Sequence, residues 1–211
     1  MSQIRLTSPQ VSALPIVLVG LPGSGKSTIG KMLSRRLGCA FVDSDTVIES
    51  RLGCSIRQYF EMEGEDRFRD VEQAVLAELL SNQEAETPIT ASGEAQQTRK
   101  PTSVISTGGG IVLRPANRQV LAAQPCVVYL RATAEELYKR LKHDKTRPLL
   151  QVSDPLKKIG ELYTQREPLY RESAHFVIET GRPSVHALVN MIISQLELAG
   201  LITPAELSPK P

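Results

Sequence analysis
The chain has 211 residues, 41% of them apolar, and 25 lysines and arginines set against 23 carboxylates give it a formal charge of +2. That length suits one α/β domain able to bury a real core, and the near balance of charge does not favour nucleic acid as a partner. Cys39, Cys54 and Cys126 are odd in number and lack metal-ligand spacing, so they read as packing residues in a reducing compartment and argue against a disulfide scaffold.

Met1 to Pro15 is polar and without period, and has neither a charged leader nor an apolar core; it is expected to be a mobile tail. No later run approaches the ~20 apolar residues of a membrane span, so a cytoplasmic protein without membrane contact is expected. Order begins with the apolar run Ile16-Val17-Leu18-Val19, which enters Gly20-Leu21-Pro22-Gly23-Ser24-Gly25-Lys26-Ser27-Thr28 and then a stretch of helical spacing through Ile29, Leu33 and Leu37. Strand, glycine-rich loop and helix in that order make a P-loop. Gly20, Gly23 and Gly25 let the backbone N–H groups curl around phosphate oxygens, and the helix N-terminus adds partial positive charge. Lys26 reaches the β and γ phosphates, and Ser27 offers a hydroxyl to Mg2+.

Gly38 stops the first helix, and a short strand, Ala40-Phe41-Val42, delivers Asp43-Ser44-Asp45 at its carboxyl end. In an open parallel sheet that end faces the ligand crevice, although either aspartate also suits the cap of a helix starting near Thr46. From Thr46 to Ser81 the pattern is helical with breaks at Gly53 and Gly64. Its charged stretch, Glu61 to Asp70, reads locally as a solvated face that includes Arg67 and Arg69. Asn82 to Thr102 holds a single large aliphatic residue and is expected to be a flexible surface insertion.

The strand Val104-Ile105-Ser106-Thr107 then runs into Gly108-Gly109-Gly110, whose lack of side chains permits close approach of backbone to ligand. A helix over 115–123, an apolar strand over 126–130 and a helix over 134–141 follow. This alternation predicts a doubly wound parallel sheet. The basic segment 143–155, bearing Arg147, is a plausible mobile lid that would exclude water on closing. A helix with Tyr163, Arg166 and Tyr170, a last strand over 175–178, a helix over 185–198 and a polar tail from Gly200 complete the chain.

Together, Gly20-Leu-Pro-Gly-Ser-Gly-Lys-Ser-Thr28, Asp43-Ser-Asp45, Gly64-Glu-x-x-Phe-Arg69, Gly108-Gly-Gly110, Arg147-Pro-Leu-Leu150 and Arg166-x-Pro-Leu-Tyr170 resemble the shikimate kinase family of P-loop kinases. The resemblance spans roughly residues 16–196. It implies a three-layer fold with a five-stranded parallel sheet in the order 2-3-1-4-5, helices on both faces and a lid. It further implies ATP-dependent phosphorylation of the shikimate 3-hydroxyl on the route to the aromatic amino acids, by a monomer. Gly23, Ser24, Gly25, Lys26, Ser27 and Thr28 would hold the ATP phosphates; Ser27 would bind Mg2+ directly and Asp43 through water. Asp45 matches the carboxylate on the ring hydroxyls, and Arg69 with Arg166 matches the pair on the substrate carboxylate, which overturns the solvated-face reading for Arg69 and leaves it standing for Arg67. Gly108, Gly109 and Gly110 match the hydroxyl-binding backbone, with Gly109 the expected contact. Arg147 matches the lid arginine, Arg140 resembles a second arginine near the adenine and phosphates, and Arg182 with Pro183 falls where the family holds adenine. A gluconate kinase of the same architecture would need no such Asp45, Arg69 and Arg166 set, and a non-catalytic nucleotide-binding protein would not need Lys26, Asp45 and the lid arginine together. The length of the 82–102 insertion and the two end extensions depart from the family pattern but touch no motif.

Overall fold
The structure is a computed structural model that describes residues 13–81, 100–142 and 152–203. Five strands, β1 (Ala13–Val19), β2 (Ala40–Asp43), β3 (Lys100–Ser106), β4 (Val127–Arg131) and β5 (Phe176–Glu179), form one parallel sheet in the order β2-β3-β1-β4-β5. This is the order expected from the resemblance. Among the described residues seven helices accompany the sheet: α1 (Lys26–Leu37), α2 (Ser44–Leu52), α3 (Ile56–Ser81), α4 (Pro115–Ala122), α5 (Ala134–Leu141), α6 (Pro155–Ser173) and α7 (Val185–Leu198).

Because successive side chains of a strand face opposite ways, central β1 feeds two cores at once. Leu14, Ile16 and Leu18 pack on one face with Ile29 and Leu33 of α1 and Leu188, Ile192 and Leu196 of α7. Val17 and Val19 point to the other, among Leu76 and Leu80 of α3, Leu121 of α4, Leu137 of α5, and Ile159 and Tyr170 of α6. A third, smaller cluster of Ile48, Phe68 and Val75 ties α2 to α3. It fixes the helix that carries Arg69.

The ordered core extends further at several ends than the sequence pattern suggests. Ala13 to Pro15, expected in the tail, belong to β1: Leu14 is fully buried and sits opposite Pro101 of β3. The pairing register shifts between Leu14 and Pro15, which is how a central strand accommodates a residue that cannot donate to the ladder. Lys100 to Thr102, assigned above to the insertion, are likewise the first residues of β3, and Ile202 of the expected C-terminal tail is buried beside α7. The remainder of the two tails and of the insertion, residues 1–12, 82–99 and 204–211, lies outside the described residues, as do residues 143–151 of the expected lid. Gly64, at φ 81° and ψ 175°, kinks α3 where a helix break was expected. No helix among the described residues is long and apolar enough to cross a membrane.

Candidate active site
The carboxyl ends of β1, β2 and β3 meet on one side of the sheet, and the P-loop, Asp43, Asp45 and Gly109 line one cavity there. Gly20, Gly23 and Gly25 all have positive φ, at 148°, 82° and 98°. A side chain at Gly20 would run into the Leu130 carbonyl at 2.7 Å, so only glycine lets β1 turn into the loop. Gly25 caps α1 in the left-handed region and supplies no side-chain acceptor, which leaves the first N–H groups of the helix for an anion. Lys26 is 8% exposed, and its Nζ donates to the Gly20 and Leu21 carbonyls at 2.8 and 3.0 Å. The ammonium is thereby folded back over the loop it serves.

Beside it the Ser27 hydroxyl donates to Asp43 Oδ2 at 2.7 Å and lies 3.3 Å from the Ser106 hydroxyl. The other Asp43 oxygen accepts from the Asp45 N–H at 3.1 Å, so Asp43 caps α2 and faces the P-loop together. A cavity of about 320 Å3 is lined by Lys26, Ser27, Asp43, Asp45, Ser106 and Gly109 among others. A second, of about 310 Å3, opens between the P-loop and the loop after β5, with Thr28, Ile29, Pro183, Val185 and Leu188 in its wall. Arg140 lines both cavities, donating to the Gly23 carbonyl at 3.3 Å, the Thr180 hydroxyl at 3.2 Å and the Thr180 carbonyl. From the pair Arg182 and Pro183, it is the proline that lines this cavity, while Arg182 is exposed.

Asp45, Arg69 and Arg166 lie far apart in sequence and converge on the Gly108–Gly110 turn. A methyl at Gly108 would sit 2.8 Å from Asp45 Oδ1 and 2.9 Å from Glu72 Oε1, and one at Gly110 would run into the Arg69 guanidinium. Arg166 Nη1 donates to the Gly109 carbonyl at 3.0 Å. The glycines are thus the space that lets two carboxylates and two guanidinium groups approach one stretch of backbone. We expect Gly108→Ala to push Asp45 and Glu72 apart and lower kcat/KM for the acceptor at least about tenfold, while thermal unfolding stays cooperative; steady-state rates and a melting curve check both.

Sequence reasoning missed Glu72. Only 2% exposed, it accepts from Arg69 Nη1 at 2.7 Å, while Glu65 holds the other side of the same guanidinium at 2.9 Å. Burial pushes the Glu72 carboxyl above its ordinary range, and Arg69 draws it part of the way back. The signal was present: a carboxylate inside the apolar stripe Phe68, Val75, Leu76, three residues beyond an arginine, has no reason to be there unless paired. Ser106, a hydroxyl at the end of β3, was also passed over. Arg67 is exposed, as expected of a solvated face, and Arg147 lies outside the described residues.

Known proteins are similar to this chain in sequence and fold. The family model described as shikimate kinase matches residues 22–197. The chain is 49% identical to a shikimate kinase of Paracidovorax citrulli over 201 residues, covering 95% of this chain and 100% of that one. With a shikimate kinase of Burkholderia thailandensis it shares 49% over 187 residues, 89% of this chain and 92% of the other. Among solved structures, the shikimate kinase of Acinetobacter baumannii in complex with shikimate superposes with a TM-score of 0.74 at 39% identity, covering 89% of this chain and 94% of that one. A gluconokinase of Sinorhizobium meliloti, at 18% identity and a TM-score of 0.54, shares the fold alone. With a family model spanning most of the chain, and relatives near half identity over nearly their whole length, this chain belongs to the shikimate kinase family.

Proposed function
We propose that the protein transfers the γ-phosphoryl group of ATP to the 3-hydroxyl of shikimate, giving shikimate 3-phosphate and ADP in aromatic amino acid biosynthesis. The observation that carries the reading is the convergence of Asp45, Arg69 and Arg166 on the Gly108–Gly110 turn, one wall away from the P-loop. Two guanidinium groups suit a carboxylate, which they grip through paired N–H donors, and an aspartate suits ring hydroxyls. Gly23 to Thr28 would cradle the phosphates, with Lys26 leaving the Gly20 and Leu21 carbonyls to meet the transferred group. Arg140 stands between the phosphate and adenine cavities, and the apolar wall of Pro183, Ile29 and Leu188 suits a flat base.

Ser27 and Asp43 offer hard oxygen donors 2.7 Å apart at the edge of the phosphate cavity, and no group of three or more metal-ligating side chains occurs among the described residues. That donor set fits Mg2+, which is usually held by one or two protein oxygens plus substrate phosphates and water. Ser27 would hold the ion directly and Asp43 through water, and the ion would supply positive charge against the charge that develops on the phosphate oxygens. Asp45 orients the 3-hydroxyl in line with the γ-phosphorus. A loose transition state demands little base strength, so alignment matters more than early proton removal.

The three cysteines are unpaired, and burial pushes the Cys126 thiol up to about 12, which leaves it inert and accords with packing in a reducing cytoplasm. The reading is tested by ADP release from Mg-ATP with shikimate, gluconate, a nucleoside monophosphate or no acceptor. Release is expected with shikimate only and should fall about hundredfold in Asp45→Asn, whose amide no longer aligns the hydroxyl. Equal release with gluconate, or in the blank, would leave the nucleotide site standing and sink the acceptor.

A further inference from the structure
The motif Arg166-x-Pro-Leu-Tyr170 ends in a residue to which the proposed chemistry gives no task. Tyr170 is fully buried, yet its phenol is not idle: the O–H donates to the Gly109 carbonyl, the same oxygen that accepts from Arg166 Nη1 at 3.0 Å. Its ring stacks on Tyr129 of β4, with centroids 5.0 Å apart and planes 22° from parallel. Tyr129 is itself buried and pairs in register with Val19, the last residue of the strand that enters the P-loop. The phenol is therefore a short rigid post, fixed on the sheet side and ending on the substrate-side turn.

A turn of three glycines needs such a post. Glycine leaves the backbone free to sample conformations that any side chain would forbid, so a binding surface made of glycine must be restrained from outside. The far half of this turn is restrained from α4. Asn117 Nδ2 donates to the Ile111 carbonyl at 2.9 Å, and Arg118 Nη1 donates to the Val112 and Leu113 carbonyls at 2.9 and 3.2 Å. On the near half the Gly108 N–H donates to the Ser44 hydroxyl at 3.1 Å, and the Gly109 carbonyl is held by Tyr170 and Arg166 together. Arg166 benefits as well, since one nitrogen anchored on a fixed carbonyl orients the rest of its planar fork.

We propose that Tyr170 is a positioning residue: its O–H holds the Gly109 carbonyl, and with it Arg166, in the geometry that receives the acceptor. Burial drives the phenol's pKa well above its usual value, so it remains a donor throughout the working range of pH. The inference rests on the assignment of Gly109 and Arg166 to shikimate.

The test is Tyr170→Phe, which keeps the ring and its stack on Tyr129 and removes one O–H. Losing one hydrogen bond should leave the fold intact, to be verified by circular dichroism and a melting curve. Shikimate KM and the equilibrium Kd for shikimate should rise about fivefold to tenfold, with the ATP KM within about twofold. Tyr129→Phe, which alters the other ring of the stack, should change neither constant by more than about twofold. In an Arg166→Lys background, where the fork is already lost, adding Tyr170→Phe should raise shikimate KM by less than about twofold. A general loosening of the core would instead move both substrates' constants and add independently of Arg166, and that result overturns the proposal. So does a Tyr170→Phe enzyme with shikimate constants within about twofold of wild type when Arg166→Lys alone raises them. If Arg166→Lys itself leaves shikimate KM unchanged, the pocket assignment fails first and the role of Tyr170 falls with it.

Discussion
Arg69→Ala is expected to raise shikimate KM by about tenfold to a hundredfold, the equivalent of the ~1.5–3 kcal/mol that hydrogen bonds to a charged group contribute, with ATP KM close to native. The same substitution should also lower stability, for a reason unconnected with substrate. Glu72 is 2% exposed, and its carboxylate would be left without the guanidinium that lies 2.7 Å away. Stranding one member of a buried pair costs about 3 kcal/mol or more.

The two effects separate by pH. A buried carboxyl whose folded-state pKa lies above its unfolded value binds its proton more tightly when folded, so its destabilising effect is absent at low pH and grows as pH rises through that range. Removing Arg69 takes away the main influence that draws the Glu72 pKa down, leaving burial to push it higher. The stability deficit of Arg69→Ala should therefore be present at neutral pH and shrink as pH falls toward the ordinary carboxylate value of about 4.3. Adding Glu72→Gln to Arg69→Ala should restore much of the stability and none of the shikimate affinity. Chemical denaturation at several pH values and steady-state kinetics read the two separately. A near-native shikimate KM in Arg69→Ala would remove this arginine from the acceptor site.

Lys26→Ala is expected to lower kcat by about a hundredfold to a thousandfold, the range typical of deleting one preorganised group that meets developing charge. Shikimate Kd should hardly move. Lys26 is anchored on the Gly20 and Leu21 carbonyls, both part of a loop whose shape is already set by positive-φ glycines, so the fold should survive. Lys26→Arg should not restore turnover, because a planar fork on a different stem cannot replace a compact ammonium that must leave two carbonyls for a phosphate. Single-turnover kinetics with saturating shikimate give the comparison, and turnover within about tenfold of wild type would leave Lys26 without its proposed part in the transition state.

Most of the helices and strands were legible because their signals are local. Gly38 and Gly53 stop helices with left-handed backbone, at φ 64° and 67°, and Thr133 with Glu136 opens α5 as a capping box. The helices over 134–141 and 185–198 have in the structure the bounds that their periodicity predicts. Strand ends were less legible. Whether Leu14 or Lys100 to Thr102 join a sheet depends on the partner strand each meets, and β1 and β3 find each other across more than eighty residues of sequence.

The nucleotide site was determined by the sequence itself, since a P-loop is a contiguous device: strand, glycines, lysine and helix N-terminus act through neighbours along the chain. The proposed acceptor site was decided by tertiary structure. Motif matching could pick out Asp45, Arg69 and Arg166 one by one, but only packing brings them to one glycine turn, buries Glu72 against Arg69 and stands Tyr170 on Tyr129 beneath Gly109. The physical reason is range. Backbone conformation and capping are governed by residues a few positions apart, whereas desolvation, ion pairing and the aim of a hydrogen bond depend on whatever the folded sheet places alongside.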